Sequence, residues 1–214
     1  MKLLPYSDIT KHLCNLILGL PKKPRQIIAV AGPPASGKST AARALAHALG
    51  RAGKSAAVIP MDGFHLDNAV LEARGILPRK GAPHSFDLQG FAQLLARIAE
   101  NSEAEIAYPL FDRARDISIA GAATLPRSVE FVIVEGNYLL LDQDGWRDLR
   151  KFWDSAIMLM PPRAEIEARL LQRWIDHGHT PEAARARRDA NDLPNAELVL
   201  ANALPADWVM AEAA

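Results

Sequence analysis

The stretch QIIAVAGPPASGKST, residues 26–40, decides the fold of this chain. Residues 27–30 are a continuously apolar and mostly β-branched run, which is typical of a buried parallel strand. Residues 32–39, GPPASGKS, match the pattern G-x-x-x-x-G-K-[ST] at every fixed position. An alanine-rich helical pattern follows over residues 39–49. The pattern therefore lies between a strand and a helix, where a phosphate-binding loop must lie.

The physical interpretation of this loop is a cradle for nucleotide phosphates. Gly32 and Gly37 allow backbone angles that point successive N–H groups into one concavity, and the following helix N-terminus adds a positive field. Lys38 is expected to reach the β- and γ-phosphates of a nucleoside triphosphate, and Ser39 to offer its hydroxyl to Mg²⁺. The candidate cofactor-binding residues are Gly32, Pro33, Ala35, Ser36, Gly37, Lys38, Ser39 and Thr40. A surface turn rich in glycine and proline is the alternative, which the flanking strand and helix disfavour.

The composition sets the class of protein. The 214 residues suffice for one ordinary domain with a sizeable core, and hydrophobic and charged fractions of 49% and 23% are typical of globular proteins. Lysine plus arginine and aspartate plus glutamate number 25 each, which argues against non-specific nucleic-acid binding. The single cysteine, Cys14, excludes an internal disulfide and a cysteine-based zinc site.

The N-terminal stretch lacks the pattern of a signal peptide, because Asp8, Lys11 and His12 interrupt its apolar residues. No apolar run approaches transmembrane length. A cytoplasmic protein with no membrane partner is therefore expected. The sequence leaves the oligomeric state open, with a homodimer as one alternative.

Strand and helix patterns alternate along the chain. Strands are predicted at residues 27–30, 55–60, 106–110, 129–134, 154–160 and, as a last edge strand, 206–210. Helices are predicted at residues 7–18, 39–49, 66–74, 88–99, 163–175 and 182–191. Ser7 is expected to cap the first helix, and residues 117–125 to form a small hairpin or flap. This alternation predicts an α/β sheet with helices on both faces.

Two carboxylates follow predicted strands, at the edge where open α/β sheets bind their ligands. Glu135 follows the run VEFVIV, residues 129–134, at the place where a P-loop protein holds its magnesium-side acid. Asp62 follows SAAVIP, residues 55–60, and is expected to accept a proton from an attacking hydroxyl or to help orient Mg²⁺. The alternatives are a turn-capping carboxylate for Glu135 and a turn aspartate before Gly63 for Asp62.

Arginines on the helix predicted over residues 163–175 form a third candidate group. The i, i+4 spacing of Arg169 and Arg173 puts both side chains on one helix face. A glycine-containing turn and a second arginine-rich helix follow. This is the pattern of a lid that closes over a triphosphate and brings guanidinium charge to the transferred group. The alternative is a solvated charged face, paired with Glu165 and Asp176.

Four segments, GPPASGKST, MDGFH, YPLFDRARD and VIVEGNYLLLD, occur in that order. Together they resemble the phosphoribulokinase/uridine kinase family of P-loop kinases, over a region from Arg25 to about Asp207. MDGFHLDN and the following GILPRKGAPHSFD most resemble bacterial members described as sugar kinases of a fructose transport system. The D-G-F-H and F-D-R-A-R-D segments are much more specific than the phosphate loop, which is generic to NTPases.

The resemblance implies a P-loop NTPase fold of the nucleoside-kinase type, with a five-stranded parallel sheet, helices on both faces and a mobile helical lid at about residues 163–190. The kinase domain is expected at residues 25–214, after an N-terminal helix and linker at residues 1–24. ATP and Mg²⁺ are the implied cofactors. By position, the matched residues are Lys38 for phosphate, Ser39 and Glu135 for magnesium, Asp62 for the catalytic base, and Arg169 and Arg173 for the lid.

The pocket for the phosphate acceptor is expected to have a basic lining. Such a lining suits an acceptor with an anionic group, such as a sugar phosphate, as well as a neutral polyol that arginine donors approach. The candidate substrate-binding residues are His65, Arg79, Lys80, His84, Phe111, Arg113 and Arg115. Uridine kinases carry D-S-F-Y at the place of residues 62–65, and a tyrosine and a histidine in the segment that matches residues 111–115. These departures argue against a uridine substrate.

The sequence therefore predicts an ATP-dependent kinase whose acceptor is a hydroxyl of a small metabolite, with a sugar as the first candidate. Kinases of the same fold for uridine, pantothenate or ribulose phosphate are the nearest alternatives. A regulatory P-loop ATPase that signals to a partner is an alternative of another class. Dependence of ATP turnover on a small-molecule acceptor separates the kinase from the regulatory ATPase.

Overall fold

The computed structural model describes residues 2–4 and 9–211, with side chains from residue 12 to residue 211. The expected helix cap at Ser7 lies outside the described residues. The strands are β1 (Lys2–Leu4), β2 (Gln26–Ala31), β3 (Ala56–Pro60), β4 (Glu105–Asp112), β5 (Ile117–Pro126), β6 (Phe131–Gly136), β7 (Ser155–Met160) and β8 (Trp208–Ala211). The helices are α1 (Ile9–Leu18), α2 (Lys38–Arg51), α3 (Asn68–Ala73), α4 (Leu88–Glu100), α5 (Arg163–Asp176), α6 (Pro181–Arg187) and α7 (Leu193–Ala201). None of these helices is both long and apolar enough to cross a lipid bilayer.

In the described part of the chain, six parallel strands form the main sheet in the order β1-β8-β7-β2-β6-β3. The predicted parallel sheet of five strands is confirmed, and β1 adds a short sixth strand at one edge. The last strand, predicted at residues 206–210, is confirmed as β8, which pairs with β7. Its predicted position at the edge of the sheet is wrong, because β1 pairs with β8 from Lys2↔Trp208 to Leu4↔Met210. A strand of three residues is too short to leave a recognisable pattern in the sequence.

β4 and β5 form a separate antiparallel hairpin. Its register runs from Glu105↔Pro126 at the base to Asp112↔Ile117 near the tip. The prediction that residues 117–125 form a small hairpin by themselves is wrong, because they lie within the single strand β5. The strand predicted at residues 106–110 is confirmed as part of β4, the partner of β5 in the hairpin. Arg113, in the turn between the two strands, forms an ion pair with Asp62, which follows β3 of the main sheet.

Both faces of the main sheet are covered. Ile28 and Val30 of β2 pack with Leu45 of α2 in one buried cluster. Ile27 and Ala29 face the other side of the sheet and pack in a second buried cluster, which includes Phe91 of α4. All six residues of β2 are buried. Because helices cover both faces, residues 27–31 of this strand are apolar without alternation, as the sequence pattern predicts.

A smaller helical unit lies beside the phosphate loop. A buried cluster joins α5 to α7 and consists of Ile166, Leu170 and Ala196. Ala35 of the phosphate loop packs against this cluster. The helix predicted over residues 182–191 ends as a regular α-helix at Arg187, and Arg188–Asp192 is wound as a π-helix that leads into α7. The helical unit and the phosphate loop are therefore in direct contact.

Candidate active site

The phosphate loop joins β2 to α2 in a tight turn. Ala35 and Gly37 have φ angles of 61° and 87°, a left-handed backbone that can point neighbouring N–H groups into one concavity. Gly32 lies where a side chain does not fit, because a Cβ there would be 2.5 Å from Ser36 Oγ and 3.0 Å from the carbonyl oxygen of Leu159. The loop therefore requires glycine at both motif positions, and it presents the N-terminus of α2 to an anion.

Lys38 and Ser39, the first residues of α2, lie close to Glu135 near the end of β6. Ser39 Oγ donates a hydrogen bond of 3.0 Å to Glu135 Oε1. Lys38 Nζ donates to the carbonyl oxygen of Pro33 at 3.4 Å, within the loop. Glu135 is 7% exposed and is the register partner of Val30 in the neighbouring strand β2. A hydroxyl and a carboxylate are oxygen donors of the kind that Mg²⁺ prefers, so these two side chains fit a magnesium ion.

Burial controls the charge state of these groups. It lowers the pKa of Lys38, and the carboxylates of Glu135 and Asp62 oppose that shift. Burial also raises the pKa of Glu135, although attraction to Lys38 opposes the change. Both charged forms are therefore less stable in the site than in water. A bound triphosphate and a bound cation would each supply the opposite charge that these buried groups lack.

Asp62 lies in the turn Met61–Phe64, which follows β3 at the same edge of the sheet. β3 pairs in parallel with β6, and Pro60 is the register partner of Glu135. Asp62 Oδ2 accepts a charged hydrogen bond of 2.5 Å from Arg113 Nη2 at the hairpin tip. The two acids predicted as base and as metal ligand therefore come from the ends of neighbouring strands, and they have different partners.

His65, three residues after Asp62, packs between two aromatic rings. Its ring centroid is 4.1 Å from that of Phe86 and 4.6 Å from that of Phe111. Its Nδ1 lies 2.8 Å from the backbone carbonyl oxygen of Asp62. Because a carbonyl oxygen only accepts, Nδ1 carries the proton and donates. Burial lowers the pKa of His65, against the attraction of Asp62, so the neutral ring is favoured and its Nε2 is an acceptor.

Lys80 reaches the same wall from the loop after α3. Its Nζ donates to Asn68 Oδ1 and to the backbone oxygen of Asp116, each at 2.7 Å, and lies 2.9 Å from Asp116 Oδ2. The ammonium also lies 5.1 Å from the centroid of Phe111. Sequence reasoning missed Asn68 and Asp116, although both belong to segments that carry the family resemblance, MDGFHLDN and YPLFDRARD. These contacts fix one wall of the site, formed by Asn68, Lys80, Phe111 and Asp116, which is named the acceptor wall because the predicted acceptor-binding residues Lys80 and Phe111 belong to it.

α5 brings two arginines to the nucleotide side. Arg169 Nη1 donates to the carbonyl oxygen of Ala35 at 3.2 Å, and its guanidinium forms an ion pair with Glu165. Arg173 lines the same cavity, and burial lowers its pKa while Asp192 opposes the shift. The ion pair of Arg169 with Glu165 is the one expected if this helix face were only a solvated charged surface. The hydrogen bond to Ala35 shows that the same side chain also contacts the phosphate loop.

One cavity of about 1130 Å³ extends from the phosphate loop, here named the nucleotide side, to His65, Phe111 and Arg113, here named the acceptor side after their predicted role, and to α5. The predicted residues that line it are Ala35, Gly37, Lys38, Ser39, Thr40, Asp62, His65, Lys80, Phe111, Arg113, Arg169 and Arg173. Gly32, Pro33 and Ser36 are buried in the loop and do not line it, and Glu135 is reached through Ser39. The lining residues that sequence reasoning did not select include Asn137 and Trp174. Trp174 directly follows Arg173, which is the local signal that could have found it.

Three predicted substrate-binding residues lie outside this cavity. Arg79 points to the π-helical segment, where its Nη1 donates to the carbonyl oxygen of Ala190 at 2.8 Å. His84 is exposed and lines a separate groove. Arg115 forms an ion pair with Asp112 at 2.8 Å on the hairpin. All three residues belong to segments that also contribute residues to the cavity. The direction of a loop side chain, however, depends on contacts that sequence spacing does not encode.

Comparisons with known proteins agree with this arrangement. A model of the Phosphoribulokinase / Uridine kinase family matches residues 27–190. Protein YggC of Escherichia coli (strain K12) is 32% identical over 210 residues, which cover 95% of this chain and 86% of that protein. The pantothenate kinase of Enterococcus faecalis is 35% identical over 154 residues, which cover 71% of this chain and 50% of that enzyme.

A solved structure is similar over nearly the whole chain. It is the crystal structure of a "putative fructose transport system kinase" from Silicibacter sp. TM1040, with 52% sequence identity and a TM-score of 0.89. The similarity covers 92% of this chain and 97% of that chain. The family match extends from β2 through α6, and so includes the phosphate loop and the two arginines of α5, Arg169 and Arg173. The chain therefore belongs to the phosphoribulokinase/uridine kinase family and is an ATP-dependent kinase.

Proposed function

We propose that this kinase transfers the γ-phosphoryl group of Mg·ATP to a hydroxyl of a small metabolite, and that the acceptor is a sugar. The observation that supports this most directly is the position of Asp62. It lines one cavity together with Lys38 and Ser39 on the nucleotide side and with Phe111 and Arg113 on the acceptor side. A carboxylate between the two substrates is what general-base catalysis of phosphoryl transfer requires.

The reaction transfers one phosphoryl group and one proton. The acceptor oxygen forms a bond to the γ-phosphorus, and the bond from that phosphorus to the β–γ bridging oxygen breaks, which releases ADP. Asp62 takes the proton of the acceptor hydroxyl through its carboxylate. In the structure Asp62 Oδ2 is bonded to Arg113. Because a carboxylate has two oxygens with several acceptor sites, Asp62 can retain this bond and still accept the hydroxyl proton.

Three basic side chains would stabilise the charge on the transferred group. Lys38 lies at the phosphate loop, and Arg169 and Arg173 lie on α5 across the same cavity. Charge spreads over the oxygens of the γ-phosphoryl group as it moves, so fixed cations aimed at this position lower the barrier more than they strengthen substrate binding.

Ser39 and Glu135 would hold the magnesium ion, as their oxygen donors allow. When bound, Mg²⁺ supplies positive charge to the β- and γ-phosphates. The hydrogen bond from the Ser39 hydroxyl to Glu135 holds these two oxygen donors next to each other.

The acceptor side has the chemistry that a polyhydroxylated molecule needs. Phe111 offers an apolar ring, His65 an acceptor nitrogen, and Arg113 charged donors. Pockets for small polar ligands combine an apolar wall with a few directed polar groups in this way. The similarity to the Silicibacter protein, which is described as a "putative fructose transport system kinase", also favours a sugar. The Enterococcus relative makes pantothenate the second candidate.

The test is an ADP-release assay with Mg·ATP against sugars, sugar phosphates, nucleosides and pantothenate, with Lys38→Ala as the blank. We expect one sugar or sugar phosphate to raise ADP release strongly above the acceptor-free rate. Pantothenate or uridine as the single strong acceptor would keep the kinase assignment and overturn the sugar. Slow ADP release that no acceptor stimulates would overturn the acceptor site and favour a regulatory ATPase.

A further inference from the structure

The loop between α3 and α4 is bonded to the end of the helical unit. Arg79 Nη1 donates to the carbonyl oxygen of Ala190 at 2.8 Å, and Arg79 Nη2 donates to Asn195 Oδ1 at 3.1 Å. In the opposite direction, Asn191 Nδ2 donates to the carbonyl oxygen of Lys80 at 2.8 Å. Three hydrogen bonds therefore cross between two regions that are more than a hundred residues apart in the chain.

The same loop is also bonded to the acceptor wall. The Lys80 side chain holds Asn68 and Asp116, and Asp116 lies at the tip of the hairpin that carries Arg113. The carbonyl oxygen of the next residue, Gly81, accepts a hydrogen bond of 2.6 Å from Tyr138 Oη. Any displacement of the acceptor wall would therefore pull on residues 79–81.

On its other side, the π-helical segment Arg188–Asp192 is bonded to α5. Asp192 Oδ2 accepts a hydrogen bond of 2.5 Å from Trp174 Nε1. Asp192 is 8% exposed, so this bond is shielded from water. Trp174 directly follows Arg173, one of the two arginines on the nucleotide side. The guanidinium of Arg187 lies 4.8 Å from the centroid of the Trp174 ring. The segment thus connects to the helix that positions Arg173.

The winding of this segment makes it a suitable joint. A π-helical turn bonds i to i+5 and is less stable than an α-helical turn, which is why such turns are short and frequent at functional sites. A change between the two windings would shift Ala190 and Asn191 relative to α5. The carbonyl oxygen of Ala190 is the atom that Arg79 holds.

We propose that the π-helical segment Arg188–Asp192 couples the acceptor wall to the arginines of α5, and that Arg79 and Asn191 are the positioning residues of this coupling. The inference rests on the proposed function, because it takes one side of the cavity as the acceptor side. Arg79 then does not touch substrate. Its hydrogen bonds transmit a shift of α5 to the loop at residues 79–85. Because coupling between two sites is reciprocal, a ligand on the acceptor wall also favours the α5 position that binds nucleotide.

The test is amide hydrogen exchange with and without the magnesium complex of a non-hydrolysable ATP analogue, so it needs no acceptor. The amides of Lys80, Ala82 and Ser85 are hydrogen-bonded within the loop, and their exchange is therefore measurable. In the wild-type protein we expect the analogue to slow exchange in α5 and in residues 79–85. In Arg79→Gln we expect slowing in α5 alone, with the ratio of rates in the loop falling to one.

Asn191→Asp removes the donor to Lys80 without a change in size and should give the same loss in the loop, which keeps the test available if Arg79→Gln does not fold. Arg97→Gln is the matched control, because Arg97 also makes two side-chain hydrogen bonds, to Glu103 on the surface, and does not line the cavity. Wild-type protection confined to α5, or loop protection that survives in both Arg79→Gln and Asn191→Asp, would overturn the coupling. Neither result would affect the outcome of the acceptor panel, so the two proposals can fail separately.

Discussion

The nucleotide side and the acceptor side of the cavity are built in different ways. The nucleotide side consists of a tight backbone loop between β2 and α2, backed by two strands, β2 and β6, in which every residue is buried. The acceptor side consists of longer side chains on a hairpin tip and on turns, and the Arg113 side chain there is 64% exposed. One side depends on backbone shape, and the other depends on where flexible side chains are held.

This difference determines which amino-acid substitutions each side of the cavity tolerates. A left-handed backbone at Gly37 and a position without room for a Cβ at Gly32 tolerate few substitutions. Contacts such as that between Arg113 and Asp62 can be replaced without changing the fold, because the hairpin is held by its own ladder. We therefore expect changes on the nucleotide side to affect every acceptor alike, and changes on the acceptor side to depend on the acceptor tested.

Asp62, at the boundary of the two sides, should give the largest effect. Asp62→Asn keeps the size of the side chain and removes the proton acceptor, so turnover should fall about 10³-fold, as expected for loss of a general base. The dissociation constant of Mg·ATP should stay near that of the wild type. Turnover is measured by ADP release, and nucleotide binding by calorimetry. An equal loss of binding and turnover would show that Asp62 holds the metal or the fold instead.

Lys38→Ala tests the nucleotide side alone. Loss of a cation that contacts the γ-phosphoryl group should lower turnover at least about 10²-fold for any acceptor, as for other groups that stabilise transition-state charge. Thermal unfolding should show that the variant stays folded, because burial makes the charged form of Lys38 unfavourable in the site without ligand. Turnover near the wild-type level would contradict the assignment of the phosphate loop.

The nucleotide side could be predicted from the sequence because its determinants are local. The phosphate loop and the strand before it lie within fifteen residues of sequence. The two predicted acids lie at the carboxyl ends of neighbouring strands, Asp62 in the turn after β3 and Glu135 near the end of β6. The α/β class followed from the same periodicity. β1 was missed because three residues carry no period. The π-helical winding of Arg188–Asp192 was missed because a segment of five residues is too short for its i→i+5 hydrogen bonding to change the sequence period visibly.

The acceptor side could be predicted only in part because its contacts are between distant residues. His65, Phe111 and Arg113 line the cavity as expected. Arg79 was also expected to bind substrate, but its partner, the carbonyl oxygen of Ala190, is 111 positions away, and no local pattern indicates it. A basic residue on a loop near the site is thus a weak indicator of substrate binding, because the direction of its side chain depends on which hydrogen-bonding partner the fold brings within reach.

Arg113 and Arg115 provide a paired test of this point. Both belong to the segment YPLFDRARD and both were predicted to bind substrate, but only Arg113 lines the cavity. Arg113→Ala should lower kcat/KM for the acceptor about 10-fold, the scale of one charge-assisted hydrogen bond. In Arg115→Ala, kcat/KM should stay within about 2-fold of the wild-type value, because Arg115 forms its ion pair with Asp112 on the surface and does not line the cavity.

The readout for this pair is kcat/KM at saturating Mg·ATP with the best acceptor of the panel. Equal losses in Arg113→Ala and Arg115→Ala would mean that the hairpin moves when the acceptor binds and brings both side chains to it. A loss in Arg115→Ala alone would reverse the assignment of the two residues.

The smallest expected effect concerns the charge of His65. Its ring lies between Phe86 and Phe111, and burial lowers its pKa below the ordinary 6.5, with Asp62 opposing and the cations Lys80 and Arg113 adding to the shift. The folded protein then binds fewer protons than the unfolded chain between the two pKa values, so the free energy of unfolding rises with pH in that window. The contribution is complete above pH 6.5 and is lost as the pH falls towards the folded pKa.

Urea unfolding at pH 5.5 and pH 7.5 measures this contribution, since the two values lie about one unit on either side of the ordinary histidine pKa. The stability difference between the two should be smaller in His65→Gln than in the wild type, while His47→Gln, which removes an exposed imidazole from α2, should leave it unchanged. An NMR titration of the His65 ring should give a pKa below 6.5. A value above 6.5 would mean that the carboxylate of Asp62 outweighs burial, and the acceptor would then meet a cationic ring that donates from Nε2 instead of a neutral ring that accepts.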